Sequence, residues 1–431
     1  MKLPKTYEES LRYLYGLQKY GIKFGLNKTS NLLKVFGNPH KRNRYIHIGG
    51  TNGKGSICIM LESILRKAGL KVGLYTSPHL VRFTERFRID GKEIPKESVV
   101  ELVRSLISIM DPSDPPTFFE LTTAMAILYF DMEDVDISIM EVGMGGRLDA
   151  TNIIRPELSI ITNISMEHRQ FLGNTTTQIA REKAGIIKRG VELVTGVKQR
   201  HIRELFKDMC KSRGSRMYLL GRDFRYRSTK RGFSYYGIWE DLKDMELSLE
   251  GRFQRPNAAI AIAASEILKS KGYGIEADHI RDGLKDCIWP GRMQIVSKEP
   301  LIILDGAHNP AAMKALINSL RNIPSERIIT VIGIMDDKDI KGILSAIIPI
   351  SSHIIFTRAK YFRAMDPHRL KEIAQRLKRG NYEVISEVKG AINRAKEYAN
   401  REDVILITGS LFIIGEALCH LRPGEYEEEM V

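Results

Sequence analysis

The stretch Gly49-Gly50-Thr51-Asn52-Gly53-Lys54-Gly55-Ser56 constrains this chain more than any other. It follows an apolar run, Tyr45-Ile46-His47-Ile48, that reads as a buried strand. It precedes Ile57–Lys67, which reads as a helix. Strand, glycine-rich turn with lysine and serine, then helix is the layout of a loop that cradles phosphate. Glycines let backbone N–H groups turn toward an anion, the helix N-terminus adds partial positive charge, and Lys54 adds a full one. The match to the pattern G-x-x-x-x-G-K-[ST] is imperfect. Ile48 holds the first glycine position, and Gly55 separates Lys54 from Ser56. An ordinary glycine-rich βα turn is the plain alternative. It stands well behind, because the strand, the lysine and the helix are all in place. The expectation is a nucleoside-triphosphate site.

A chain of 431 residues is too long for one ordinary core, so two or three domains are expected. No run of about 18 apolar residues occurs, so no membrane span is predicted. The start, Met1–Glu9, lacks the apolar core of a signal peptide. Cys58, Cys210, Cys287 and Cys419 are scattered and form neither a C-x-x-C pair nor a disulfide framework, which points to the cytoplasm. The formal net charge of +14 suits an anionic partner: nucleotide, polyanionic substrate or nucleic acid. One segment, Arg222–Trp239, interleaves basic and aromatic residues (Arg231 among them) in the manner of a nucleic-acid surface. Its alternation and Gly232 fit a solvated hairpin of an antiparallel sheet better.

Short apolar runs alternate with helical patterns through most of the chain. Strands are predicted at Val72–Tyr75, Ile137–Val142, Leu158–Thr162 and Leu193–Thr195. A second series covers Leu301–Leu304, Ile328–Ile332, His353–Thr357, Glu383–Ile385 and Val404–Thr408. This βα alternation predicts parallel sheets covered by helices on both faces. The domain boundary is placed at Trp289-Pro290-Gly291-Arg292, where Pro and Gly break a helix, giving units 1–292 and 293–431.

Ligands of open α/β sheets bind beyond the carboxyl ends of strands, so residues there are candidates. Glu141 ends a strand before Val142-Gly143-Met144-Gly145-Gly146, well placed for Mg²⁺ beside a nucleotide. His168 lies shortly after Leu158–Thr162, with Glu167 beside it, and reads equally as ligand or structural histidine. Ser77 follows Val72–Tyr75 and reaches the same edge, or else caps a helix opened by Pro78. On spacing alone, Lys183 in Arg181–Lys188 is a surface lysine near a helix end. Asp305 follows Leu301–Leu304, ahead of Asn309, a helix cap, and Pro310, a first helical residue. It faces the first domain's nucleotide across a cleft or simply makes a turn.

Together these segments resemble the folylpolyglutamate synthase/dihydrofolate synthase family of the Mur ligase superfamily. The strings that carry the resemblance are GTNGKGS (Gly50–Ser56), TSPHLVRFTER (Thr76–Arg86), EVGMGGRLDATN (Glu141–Asn152), FLG (Phe171–Gly173) and REKAGIIK (Arg181–Lys188). They continue with RPNAAIA (Arg255–Ala261), WPGRMQ (Trp289–Gln294), DGAHNP (Asp305–Pro310), RAMDP (Arg363–Pro367) and ITGS (Ile407–Ser410). The resemblance implies a P-loop-type, mostly parallel ATPase domain followed by a smaller Rossmann-like α/β domain. It implies an ATP-dependent ligase that joins L-glutamate to a pteroate or folate carboxylate through an acyl phosphate.

By the same resemblance, Thr51, Asn52, Gly53, Lys54, Gly55 and Ser56 hold the triphosphate, and Asn257, Arg292 and Asp305 contact ATP. Ser77, Glu141 and His168 match the Mg²⁺ ligands, and His308 lies near the phosphates. Lys183 matches a carbamylated lysine, which reverses the reading from spacing. Thr117, Leu148, Asp149 and Ala150 match the pterin contacts of bifunctional members, which tilts the expectation toward dihydrofolate synthase activity as well. Met166-Glu167-His168 departs from the family's usual Leu-Asp-His, and Arg169-Gln170 from Thr-Glu. The implied partners are L-glutamate and dihydropteroate or a reduced folate, with no nucleic acid and no membrane, and the protein is expected to be a monomer. The rivals are a Mur-type ligase for a modified pterin or cell-wall precursor, and a nucleotide-regulated nucleic-acid-binding protein. No nucleotide-sugar domain is expected before Tyr45.

Overall fold

The computed structural model describes residues 3–427 and 429, apart from 22, 24 and 231. Arg231 of the basic–aromatic segment and the first two residues of the amino-terminal reading therefore lie outside the described residues.

Eight strands form the first sheet: β1 (Tyr45–Gly49), β2 (Val72–Tyr75), β3 (Phe87–Ile89), β4 (Lys92–Glu93), β5 (Ile137–Glu141), β6 (Leu158–Ile161), β7 (Glu192–Thr195) and β8 (Met217–Leu219). Their order is β4-β3-β2-β5-β1-β6-β7-β8. The pairs from β2 to β8 are parallel, and β3 and β4 add an antiparallel edge. β1 sits in the middle and all five of its residues are buried, as expected of a strand covered on both faces. The helix that follows, Lys54–Lys67, starts earlier than predicted, because Gly53 takes the left-handed conformation (φ 86°) that turns the chain into it.

Ten consecutive residues of that helix, Ser56–Leu65, are buried. Helices Gln254–Ser270 and Ala277–Asp286 pack over it and share its core. The approach is close: a Cβ on Gly283 would lie 2.6 Å from the Ile64 Cα. The opposite face of the sheet is covered by Tyr7–Gly16, Lys96–Ile109 and Phe118–Met132.

The basic–aromatic segment forms an antiparallel sheet of β9 (Arg225–Ser228), β10 (Phe233–Tyr236) and β11 (Asp241–Met245). It is solvated on one side only. Arg225 and Arg227 are exposed, whereas Phe233 and Tyr235 are fully buried in the main core. Glu266 ties the following turn down by accepting the N–H groups of Ile238, Trp239 and Glu240. The aromatics thus serve packing rather than an exposed stacking surface, although Trp239 remains 58% exposed.

The second sheet contains β12 (Gln294–Lys298), β13 (Leu301–Asp305), β14 (Ile328–Ile332), β15 (His353–Phe356), β16 (Tyr382–Val384) and β17 (Val404–Thr408). Its order is β12-β13-β17-β14-β15-β16, parallel except for β12. Helices Pro310–Leu320, Ile340–Ile347 and Pro367–Leu377 cover one face, and Val388–Tyr398 and Leu411–Leu421 the other. Among the described residues no helix is long and apolar enough to cross a membrane.

Gly283→Ala is expected to push helix Ala277–Asp286 off the Lys54–Lys67 helix. The overpacking should cost about 1–3 kcal/mol, read as a lowered melting temperature by calorimetry.

Candidate active site

The carboxyl ends of both sheets open on one cleft of about 1940 Å³. Its floor is the glycine-rich loop, and each glycine there has a steric reason. A Cβ on Gly50 (φ 128°) would lie 2.0 Å from Thr162 Oγ1, and one on Gly53 would lie 2.6 Å from Asn257 Oδ1. The off-pattern Gly55 is explained by Trp289, whose ring would meet a Cβ at 3.0 Å. The residues after β6 lock the loop. Thr51 N–H donates to the Asn163 carbonyl at 2.9 Å. The Asn52 carbonyl accepts Thr162 Oγ1 at 2.7 Å and Asn163 Nδ2 at 2.8 Å. This is why β6 ends at Ile161, one residue short of the predicted strand. Lys54 Nζ folds onto the loop, donating to the carbonyls of Gly50 (3.2 Å) and Thr51 (3.1 Å).

Lys183 lies beneath the loop and is 2% exposed, which overturns the surface position that spacing alone predicts. Helix Thr176–Lys183 delivers it there because glycines on both sides allow contact. A Cβ on Gly146 would be 2.9 Å from the Lys183 carbonyl, and one on Gly185 would be 2.2 Å from the Arg147 Cα. Lys183 Nζ donates to the Gly50 carbonyl at 2.8 Å and to Glu167 Oε1 at 2.6 Å. Burial pushes the Glu167 carboxyl up, but Lys183, Lys54 and His168 outweigh it and hold it at about 2. Burial lowers the Lys183 ammonium, and Glu167 opposes that.

Glu141 ends β5 and is buried, and burial raises its carboxyl against the opposing charge of Lys54. Its Oε2 accepts the N–H of Ser77 at 2.9 Å, which sets Ser77 beside it. No helix opens at Pro78, so Ser77 is not the N-cap that was its alternative reading. His168 takes a left-handed conformation (φ 45°) ahead of a short turn of helix. Burial, then the charge of Lys338, lowers it to about 4, so the imidazole is neutral at neutral pH. Among the described residues no group of three or more His, Cys, Asp or Glu converges as a metal cage. Ser77, Glu141 and His168 instead line one cleft with the phosphate loop. A single carboxylate with a hydroxyl and an imidazole suits a Mg²⁺ that takes its other oxygens from phosphates and water.

Thr117, Leu148, Asp149 and Ala150 line the same cleft. Thr117 also caps helix Phe118–Met132, its hydroxyl donating to Glu120 Oε2 at 2.9 Å. Asp149 spends three bonds on the chain, accepting Met144 N–H (2.8 Å), Thr151 N–H (3.0 Å) and Thr151 Oγ1 (2.6 Å). Both are built into local turns as well as facing the cleft.

From the second sheet, Asp305 accepts Met293 N–H at 2.9 Å and Ala307 N–H at 2.8 Å, tying the connecting segment to the end of β13. Burial raises its carboxyl to about 6 against the pull of Arg292. His308 donates from Nδ1 to the Gly306 carbonyl at 2.8 Å, a tautomer assigned from that bond, which leaves Nε2 as a lone pair. Burial and Lys338 lower it to about 4. Asn309 caps Pro310–Leu320 as expected and also donates from Nδ2 to Asn52 Oδ1 at 2.8 Å, bonding the second sheet's loop to the phosphate loop. Asn257 Nδ2 donates to Gln254 Oε1 at 2.9 Å beside Gly53.

Three participants escaped the sequence reading: the Trp289 ring on Gly55, the Asn52–Asn309 bond, and Glu167 as the partner of Lys183. Only Glu167 left a signal, as a departure from the usual string before His168.

The chain matches two family models, the Mur ligase middle domain over residues 48–265 and the Mur ligase, glutamate ligase domain over residues 291–411. A probable bifunctional folylpolyglutamate synthase/dihydropteroate synthase of Haloferax volcanii is 34% identical over 95% of this chain. The chain spans about half of that relative's length, the match covering 50% of it. The structure of Escherichia coli FolC in complex with DHPP and ADP superposes with a TM-score of 0.91, at 32% identity, covering 99% of this chain and 100% of that one. A bifunctional folylpolyglutamate synthase/dihydrofolate synthase with Mn, AMPPNP and L-glutamate bound superposes with a TM-score of 0.86, at 30% identity over 97% of this chain and 100% of that one.

The Lys183–Glu167 pair makes a pH prediction. A carboxyl depressed from 4.5 to about 2 stabilises the fold above the upper value and loses that contribution as pH falls through the lower. Melting of the wild type should show this acid loss, and Glu167→Gln should lack it. At neutral pH the variant should be less stable by about 3 kcal/mol, because a buried lysine loses its counter-charge.

Proposed function

The chain belongs to the Mur ligase family, in its folylpolyglutamate synthase/dihydrofolate synthase branch, and we propose that it joins L-glutamate to the carboxylate of pteroate or a reduced folate using ATP. The observation that carries this reading is the convergence on one cleft of a phosphate loop, a Ser77–Glu141 pair and the Asp305–Asn309 loop, with Asn309 bonded to the phosphate loop itself. A carboxylate is a poor acyl donor, so it must be activated before an amine can displace its oxygen. One carboxylate oxygen of the acceptor attacks the γ-phosphorus, ADP leaves, and an acyl phosphate forms. The glutamate amine then attacks the carbonyl carbon and inorganic phosphate leaves.

In this reading Thr51–Ser56 bind the triphosphate, and Lys54 turns from the loop carbonyls toward the γ-phosphate to offset charge during transfer. Asn257, Arg292 and Asp305 hold the rest of the nucleotide, and the neutral His308 faces its phosphates. Ser77, Glu141 and His168 would hold Mg²⁺, which when bound neutralises phosphate charge. Thr117, Leu148, Asp149 and Ala150 receive the pterin, which favours dihydrofolate synthase activity beside glutamate extension. The functional units divide at 292/293, and the chain works as a cytoplasmic monomer on small molecules.

Lys183 takes up CO₂ as a carbamate in the active enzyme, exchanging its cation for an anion beside the metal ligands. Lys183→Ala should lose at least about 100-fold in activity, since no carbamate can form without the lysine nitrogen. Full activity of that variant in CO₂-free buffer would overturn the assignment.

The test of the whole reading is ADP release with ATP, Mg²⁺ and labelled glutamate, offering dihydropteroate and tetrahydrofolate in parallel, with products identified by mass. Release should require both glutamate and a pteroyl acceptor. Hydrolysis stimulated by nucleic acid without them would refute it.

A further inference from the structure

We propose that Arg86 is a substrate-binding arginine whose terminal nitrogens take a carboxylate, supplied by the incoming glutamate or by the glutamate tail of a folyl acceptor. The inference rests on the ligase reading for the identity of the ligand, and on the following geometry for the site.

Arg86 closes the turn Phe83–Arg86 and lines the cleft, yet it is only 6% exposed. Its carbonyl accepts the N–H of Thr76 at 3.1 Å, so it is anchored to the strand end that carries Ser77. Its Nε donates to His79 Nδ1 at 2.8 Å, which fixes the plane of the guanidinium. The group lies over the rings of Phe118 (5.1 Å) and Phe83 (6.0 Å), and Tyr15 stacks on Phe118 at 5.7 Å. The remaining donors have no ion-pair partner; Glu85 and Glu141 act on Arg86 only at longer range. Among the described residues no carboxylate stands within ion-pair distance of Arg86, although the surrounding acids each have partners. Glu85 accepts the N–H groups of Leu80, Val81 and Arg82. Glu93 pairs with Arg82. Glu429 accepts the Tyr7 hydroxyl at 2.6 Å and the Phe83 N–H at 2.9 Å.

A buried, unpaired guanidinium is costly, and its planar fork matches a carboxylate in two parallel hydrogen bonds. The aromatic walls exclude water and strengthen such a pair. Arg86 is also close enough to the reaction centre to act on the Glu141 carboxyl, and Tyr361 of the second unit lies within electrostatic reach across the cleft. Arg86 lines the same cleft as the phosphate loop and Tyr361 of the second unit, so a carboxylate bound here shares that cleft with the reaction centre.

The experiment uses the full chain with Arg86→Gln and Arg86→Lys, following ADP release while L-glutamate, ATP, dihydropteroate and a folyl monoglutamate are varied in turn. If the amino acid is the ligand, KM for glutamate should rise at least about tenfold in Arg86→Gln with either acceptor. If the tail is the ligand, KM should rise for the folyl monoglutamate and not for dihydropteroate, which has no tail. Either pattern supports the proposal, with partial recovery in Arg86→Lys and KM for ATP unchanged. Unchanged KM for every substrate, or a rise confined to ATP, would overturn it. Should Arg86→Gln fail to fold, the same pattern is read from Arg86→Lys. Calorimetric binding of glutarate, a dicarboxylate without the amine, separates the two layers. If wild type turns over no ATP with any acceptor, the ligase reading has failed, and glutarate binding equal in wild type and Arg86→Lys would overturn the arginine site itself.

Discussion

In its unmodified form Lys183 is a buried cation that holds the phosphate loop from below. Lys183 reaches the Gly50 carbonyl and Glu167 from a helix that belongs to another part of the sheet edge. Without it, Glu167 would lose its direct partner and keep the charge of Lys54, which also bonds to the Gly50 carbonyl. Removing one partner of such a pair costs more than the pair contributes, because the other is left buried and charged. The loop's shape rests on that contact and on the clasp by Thr162 and Asn163.

The same economy of contacts joins the two sheets. Asp305 ties the connecting segment to β13 through Met293 and Ala307, and Asn309 both caps a helix and bonds to Asn52. A nucleotide seated on the loop is therefore met by groups from the second sheet without a long search.

Several parts of this site were legible in the chain. The strand–glycine–lysine–helix order of residues 45–67 describes local conformation and local charge, and neither depends on the rest of the fold. Glu141 and Asp305 were legible because a carboxylate at a strand's end has only one edge to face. Lys183 was not, since helical spacing reports which face a residue occupies and not what that face meets. Gly55 was misfit to the common pattern until Trp289, distant in sequence, was found against it. The basic–aromatic hairpin was half legible: its antiparallel pairing follows from alternation, but burial of Phe233 and Tyr235 depends on the core they enter.

By itself, then, the sequence determined two α/β units, a phosphate loop and the acids and histidines at strand ends, because these follow from periodicity, backbone freedom and short-range charge. The tertiary structure alone decided that Lys183 is buried against Glu167, that Trp289 shapes the loop, that Asn309 meets Asn52, and that Arg86 is enclosed without an ion-pair partner. Each of these depends on how separate elements of the fold pack together. The energy of that packing depends on distance and desolvation, which no local pattern encodes.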